Sequence, residues 1–277
     1  MKLGFIDYFL DEFHANKYPA WINDASGGEI QVAYAYAEID SPKGGLTTGE
    51  WCEKNAIRKI DTIDELVGLS DGIIVLSPDN PERHEELGNI PLRSGKRVFV
   101  DKTFAETKEV AKRIFEVAEA HGTPCYSSSA LRFADEYKGI GGCAVENIAS
   151  WGPGTVAQYG VHQIEPIVSL MGPGVARVQY TGTDKWPAYL CEFANGNRAA
   201  VSHHGWECPF SMAVGLAGGE TKMVTVESDF FMNFIRELVG FFRTGEVKVP
   251  HGETISIIAT IEAAVKASRA PGCWVNI

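Results

Sequence analysis

No apolar run in this 277-residue chain comes near the length of a membrane span, which excludes a hydrophobic helix crossing a bilayer as the basis of its work. Its six cysteines (Cys52, Cys125, Cys143, Cys191, Cys208 and Cys273) include no C-x-x-C pair and no metal-ligand spacing. A zinc ribbon and a thioredoxin-type redox motif are therefore both excluded. Free thiols in a reducing compartment are the simplest reading. Positive charge is in deficit, 25 Lys and Arg against 36 Asp and Glu, and the net charge of −11 argues against non-specific binding to nucleic acid or an anionic membrane. There is no internal repeat and no low-complexity stretch. The opening Met1-Lys2-Leu3-Gly4-Phe5-Ile6 enters a strand directly, without signal-peptide architecture, so a cytoplasmic protein is expected. A hydrophobic content of 45% with 22% charged residues is ordinary for a soluble globular chain, and the length allows one or two domains.

One further absence bears on chemistry. A dinucleotide-binding domain follows its first strand with G-x-G-x-x-G, where missing side chains let the backbone approach a pyrophosphate. After Gly4-Phe5-Ile6 the three glycine positions hold Asp7, Phe9 and Glu12. A carboxylate beside a pyrophosphate is repulsive by about 1 kcal/mol even in water at 4 Å. Either a dinucleotide binds displaced from the usual position, or the fold has lost or exchanged its cofactor. The neighbouring Asp11-Glu12-Phe13-His14 reads in two ways: as a small polar or metal site, or as a helix N-terminus where acids favour the positive dipole end.

What is present centres on Asp71 to Ala105. Ile73-Ile74-Val75-Leu76 is a short apolar run, as expected of a strand buried on both faces of a parallel sheet. Ser77-Pro78-Asp79-Asn80-Pro81 ends it. A helical segment leads through Gly95-Lys96 to a second buried run, Val98-Phe99-Val100, which stops at Asp101-Lys102-Thr103. Two such strands with a helix between them form a βαβ unit. Ligands in such sheets bind beyond the carboxyl ends of the strands, so Pro78 to Asn80 and Asp101 to Thr103 should line one crevice.

Gln31 to Ala37 reads as the second strand, and Glu38 after it stands where an acid bonds adenosine ribose hydroxyls, favouring NAD over NADP. Gly44 to Thr48 reads as a loop, Thr62 to Leu69 as a short helix, and Thr107 as the cap of a helix that runs to Gly122. Cys125-Tyr126-Ser127 is a further strand. Arg132 follows, either anchoring an anionic or hydroxylated ligand or pairing with an acid. In the second half Trp151 to Gly154 reads as a loop. Strand-like segments then run without intervening helices: Arg177 to Gly182, Ala188 to Phe193 and Arg198 to His203 joined through Asn195-Gly196, and Ser211 to Leu216 with Lys222 to Val226. Asn-Gly between apolar runs is a strong hairpin signal. Adjacent His203 and His204 on a strand point to opposite faces and do not suit one metal ion. Phe230 to Phe242 carries an aromatic helical stripe, read as core, and Ile257 to Ser268 forms the last helix. The expectation is an α/β chain: an N-terminal Rossmann-like domain with a parallel sheet over 1–126, and a C-terminal α+β domain with a mainly antiparallel sheet over 127–277.

Pro78, Asn80 and His84, then Asp101-Lys102-Thr103, then Gly160-Val161-His162-Gln163-Ile164-Glu165, together with the closing run from Gly245 to Gly272, resemble the Gfo/Idh/MocA family of dehydrogenases over nearly the whole chain. The resemblance implies an NAD- or NADP-dependent dehydrogenase of a sugar, inositol or related polyol, and a homodimer or higher homo-oligomer. It implies Lys102 and His162 as the catalytic pair, a histidine base with a lysine donating to the developing alkoxide. Cofactor contacts would fall to Asp7, Phe9, Glu38, Ser77, Pro78, Asn80, His84, Asp101 and Lys102. Substrate contacts would fall to Lys102, Arg132, Gln158 and His162, with no metal. The family's acid four residues before the histidine is here Gln158, for which Glu165 is a candidate substitute. The alternative is a catalytically retired relative that binds a ligand or partner without redox turnover and without cofactor. The missing glycines favour that alternative; Lys102 and His162 favour the enzyme.

Overall fold

The computed structural model describes residues 1–42, 44–140 and 142–277. They form two compact units, and the chain passes between them three times. One unit comprises Met1–Ser127 with Met232–Pro250, the other Ser128–Phe231 with His251–Ile277.

The first unit is built on six strands: β1 Lys2–Asp7, β2 Gln31–Ala37, β3 Arg58–Lys59, β4 Gly72–Val75, β5 Arg97–Val100 and β6 Cys125–Tyr126. All pair in parallel, in the order β3-β2-β1-β4-β5-β6. The central strands are apolar throughout because both of their faces are covered; Phe5, Ile74 and Phe99 are fully buried. Helices α1 Phe13–Ser26, α2 Thr48–Asn55, α3 Ile63–Leu69, α4 His84–Gly88 and α5 Lys108–Ala120 occupy the connections. Thr47 and Glu50 form a reciprocal capping box on α2, while Thr62 and Thr107 cap α3 and α5. Strand order reverses direction between β1 and β4, so the crevice for a ligand opens past Asp7 and Val75.

The second unit holds β7 Val145–Pro153, β8 Val175–Tyr180, β9 Ala188–Phe193, β10 Arg198–His204, β11 Ser211–Leu216, β12 Thr221–Thr225 and β13 Trp274–Asn276, in the order β12-β11-β7-β10-β9-β8-β13. Every pairing is antiparallel except β10 with β7. Helix α6 Val156–Met171 contributes Ile164, Ile167 and Val168 to the core. Across the sheet the residues alternate by row. Val214, Ile148, Ala199, Cys191 and Val178 are in register and buried. The adjacent row, Met223, Ala213, Ala149, Ala200, Leu190, Gln179 and Trp274, points to the other face, and Met223 is 68% exposed.

Two helices complete the chain, α7 Phe230–Thr244 and α8 His251–Ala267. Three findings differ from the sequence reading. Residues 145–153, whose end reads as a loop, form the longest strand among the described residues, and that strand makes the one parallel pairing described in the second sheet. Helix α2 occupies residues beyond the expected 44–48 loop. Residues 232–250 pack in the first unit rather than with the C-terminal residues. The physical reason is the aromatic stripe of α7: Phe234 lies 5.4 Å from Phe99 and 5.9 Å from Tyr18, and Phe241 lies 4.9 Å from Tyr126.

Candidate functional site

Strand β1 delivers Asp7 to the crevice. Its Oδ1 accepts from the Tyr8 amide at 2.7 Å and from Ser77 Oγ at 2.9 Å. Ser77 Oγ in turn accepts from the Tyr8 amide. These bonds hold Ser77 at φ +78°, a left-handed conformation that costs a side-chain-bearing residue roughly 1–2 kcal/mol. Asp7 is only 1% exposed, and its Oδ2 has no hydrogen-bond partner. Burial, reinforced by the charge of Glu12, holds the Asp7 carboxyl well above the ordinary carboxylate range.

Glu12 stands at the N-cap of α1 with extended backbone, and its carboxylate accepts from the amides of His14 (2.7 Å) and Ala15. These first-turn amides are the donors that a phosphate takes when it sits on a helix N-terminus. Here the chain's own carboxylate has them. Burial pushes Glu12 up to about 7, against the pull of His14 and the amide bonds. A small cleft remains beside it, lined by Asp7, Phe9, Glu12, Ser77, Pro78, Asp79 and Asn80. A dinucleotide pyrophosphate does not fit these residues in the usual way: its amides are taken, three carboxylates line its space, and Phe9 stands where a glycine would let the backbone approach.

The raised Glu12 pKa has a sign in stability. A carboxyl whose folded pKa lies above its unfolded value contributes fully below the unfolded pKa and loses that contribution as pH rises through the folded one. Unfolding midpoints should therefore fall as pH climbs from the ordinary carboxylate range through about 7, and Glu12→Gln should flatten the fall. An equally steep profile in the variant counts against this.

Past β5, Asp101 is buried, with Oδ1 accepting from the Lys102 amide at 2.8 Å and Oδ2 paired with His14 Nδ1. Burial pushes Asp101 up, but His14 and Lys102 outweigh it and the net shift is downward. Lys102 Nζ lies 3.3 Å from the Pro78 carbonyl, and its peptide to Thr103 is cis. The crevice thus brings together Asp7, Phe9, Ser77, Pro78, Asn80, Asp101 and Lys102 on adjacent strand ends. Glu38 instead forms an ion pair with Arg83, whose guanidinium lies over the Tyr8 ring. His84 is fully buried, its ring nitrogens 2.6 Å from the Leu76 carbonyl and 3.0 Å from the Phe104 carbonyl, and burial lowers its pKa. Residues Asp11 to His14 form a helix N-terminus, with Glu12 as the cap. Among the described residues no group of three or more His, Cys, Asp or Glu side chains is placed to hold a metal ion.

In the second unit α6 presents His162, whose Nδ1 lies 2.7 Å from Ser129 Oγ. Tyr159 and Phe210 meet the imidazole edge-on, at 5.0 and 5.9 Å. Gln158 is exposed. Glu165 points inward: it accepts from Ser128 Oγ, the Ser129 amide and Arg132, and Arg132 also pairs with Glu253 at 2.7 Å. Its carboxylate is committed to these partners rather than standing in for the acid at Gln158. His203 is buried against the Pro153 carbonyl while His204 faces out. Sequence reasoning missed Ser129 as the partner of His162 and Glu12 as the cap of α1. A serine in Ser127-Ser128-Ser129 carries no distinguishing signal, and Glu is not among the favoured N-cap residues.

No family model and no curated protein matches the sequence. Solved structures do match, over essentially the whole chain. GenD2 from gentamicin A biosynthesis, in complex with NAD, is 14% identical with a TM-score of 0.78, covering 100% of this chain and 96% of its own. Myo-inositol 2-dehydrogenase from Lactobacillus plantarum is 13% identical with a TM-score of 0.79, covering 100% and 99%. Biliverdin reductase from Synechocystis sp. PCC 6803, solved with biliverdin and NADP+, is 14% identical with a TM-score of 0.71, covering 96% and 98%. The structural neighbours of this chain are Gfo/Idh/MocA-type oxidoreductases, and its fold is theirs.

Proposed function

We propose that this chain is a ligand-binding relative of the Gfo/Idh/MocA oxidoreductases that does not use NAD or NADP in the family's phosphate cradle. The observation that carries this reading is Glu12, whose carboxylate accepts from the His14 and Ala15 amides where a pyrophosphate would. Asp79 adds a carboxylate to the same space, and the buried Asp7 side chain fills a position where the family has glycine. Titration with NADH and NADPH, followed by cofactor fluorescence, is expected to show no saturation below the millimolar range. Micromolar or tighter binding overturns the reading.

A second reading, a dehydrogenase of a sugar, inositol or related polyol, rests on Lys102 and His162. Both kinds of group suit alcohol oxidation, a base for the hydroxyl proton and a cation for the alkoxide. The Ser129 hydroxyl at His162 Nδ1 would orient that base. Myo-inositol 2-dehydrogenase is among the structural neighbours. Micromolar cofactor binding in the titration above would favour this second reading.

The partner proposed for the second unit is another copy of the chain. The row Ala213, Ala149, Ala200 and Leu190 offers apolar side chains in register on one face, suited to a two-fold pairing. Light scattering is expected to give a dimer or higher oligomer for the native chain and a monomer for Ala149→Arg or Ala200→Arg. A strictly monomeric native mass at high concentration would refute it.

A further inference from the structure

The crevice past β1 has the chemistry of a receptor, and that chemistry is anionic. Asp7, Glu12 and Asp79 line the cleft, and none of the described residues that line it is basic. Of the cations nearby among the described residues, Lys102 Nζ stands at the cleft's edge against the Pro78 carbonyl, Arg83 pairs with Glu38 and Glu86, and His14 pairs with Asp101. An acidic lining alone would be weak grounds for a site. The second observation is Asp7, which is buried and bonded through Oδ1 only. Its Oδ2 is buried and left without a hydrogen-bond partner. Such an atom is retained at a cost that a ligand donating a hydrogen bond would remove. Phe9 supplies an aromatic wall to the same cleft, and carboxylates beside an aromatic ring are the combination that recognises organic ammonium groups.

The geometry points to this cleft as a binding site for a small organic ammonium ligand, with Asp7 Oδ2 accepting its N–H and Glu12 as the second carboxylate. The inference rests on the reading that no dinucleotide phosphate occupies the crevice. It also has a proton consequence. The groups facing Asp7 and Glu12 are Ser77 after β4, Asp101 and Lys102 after β5, and His14 and Tyr18 on α1. Burial holds both carboxyls above their ordinary range, so a cation that needs them ionised must displace a proton on binding. Affinity then rises with pH through about 7, for as long as the amine itself stays charged.

The test is calorimetric titration of the full chain with three matched probes: 2-amino-1,3-propanediol, glycerol and glycerol 3-phosphate. The aminodiol is expected to bind saturably in the millimolar range with proton release, seen as a binding heat that depends on the buffer's ionisation enthalpy. Glycerol should bind at least tenfold more weakly and glycerol 3-phosphate not at all. Asp7→Asn should abolish the preference for the amine. Because Asp7 is buried, Glu12→Gln provides a second variant, expected to weaken the amine severalfold and to reduce the proton release. Absence of aminodiol binding, equal or tighter binding of glycerol 3-phosphate, or an amine preference unchanged in both variants would overturn the inference. If the aminodiol fails while NADH also fails to bind, only this inference falls and the reading of the phosphate cradle stands; NADH binding at micromolar affinity removes both.

Discussion

Replacing Asp7 and Glu12 together with glycine should tighten NADH binding by roughly 30–100-fold, the equivalent of about 2–3 kcal/mol. Two effects add. Above pH 7, where Glu12 is ionised, removing its carboxylate relieves a repulsion of about 1 kcal/mol or more with a neighbouring phosphate charge, and removing the Asp7 carboxyl adds to this in its ionised form. Freeing the His14 and Ala15 amides returns the N-terminus of α1 to an anion, which is worth about 0.3–1 kcal/mol and up to about 2 when partly buried. Glycine is itself a tolerable N-cap, so the helix should survive. Phe9 is left in place in this variant, which keeps the gain below that of a full glycine fingerprint. Cofactor fluorescence on native and variant protein measures the change. An unchanged affinity would show that any dinucleotide bound by this chain lies away from the β1 crevice.

The largest expected loss of stability is for Arg132→Ala, about 3–5 kcal/mol, because it strips the buried Glu165 of its cation. The Glu165 side chain is 3% exposed, and burial already pushes its carboxyl up against the pull of Arg132 and its hydrogen bonds. Glu165→Gln in the Arg132→Ala background removes the unpaired charge and should recover most of the loss. Urea unfolding of the three proteins gives the comparison. Were Arg132 instead a ligand anchor with no structural duty, its loss would leave the unfolding midpoint in place. A midpoint within error of the native one would sink the structural account.

The sequence made the first sheet readable because its strands are continuous apolar runs. Ile73 to Leu76 and Val98 to Val100 can hardly be anything but buried strands, and they fall where read. The hairpin through Asn195-Gly196 was legible for a local reason, its turn chemistry. Strand β7 was not. Its Gly152-Pro153-Gly154 ending is loop-like, and its partner in the parallel pairing, β10, lies some fifty residues on, beyond any local signal. The aromatic stripe of α7 was visible as core, but periodicity does not say whose core; only the rings of Phe99 and Tyr126 decide that. At the site, Asp7, Phe9 and Glu12 were visible as filled glycine positions. That Glu12 would fold back onto the amides of its own helix was not visible, since Glu caps helices too rarely for sequence to announce it. Glu38 and Arg132 were identifiable as charged residues near the expected crevice. Their partners, Arg83 for one and Glu165 with Glu253 for the other, are tertiary facts.

The three passages of the chain between its two units matter for how the protein is made. Strands β1 to β6 have all been synthesised by Ser127, yet the helix that covers Phe99 and Tyr126 begins only at Phe230, about a hundred residues later. At ordinary synthesis rates that is a wait on the order of 5–20 s, during which the nascent sheet carries exposed aromatic surface and is open to chaperones. A fragment cut after Ser127 would stay in that condition permanently. It should behave as a sticky, incompletely packed polypeptide, and adding residues 232–250 through a short linker should restore its solubility.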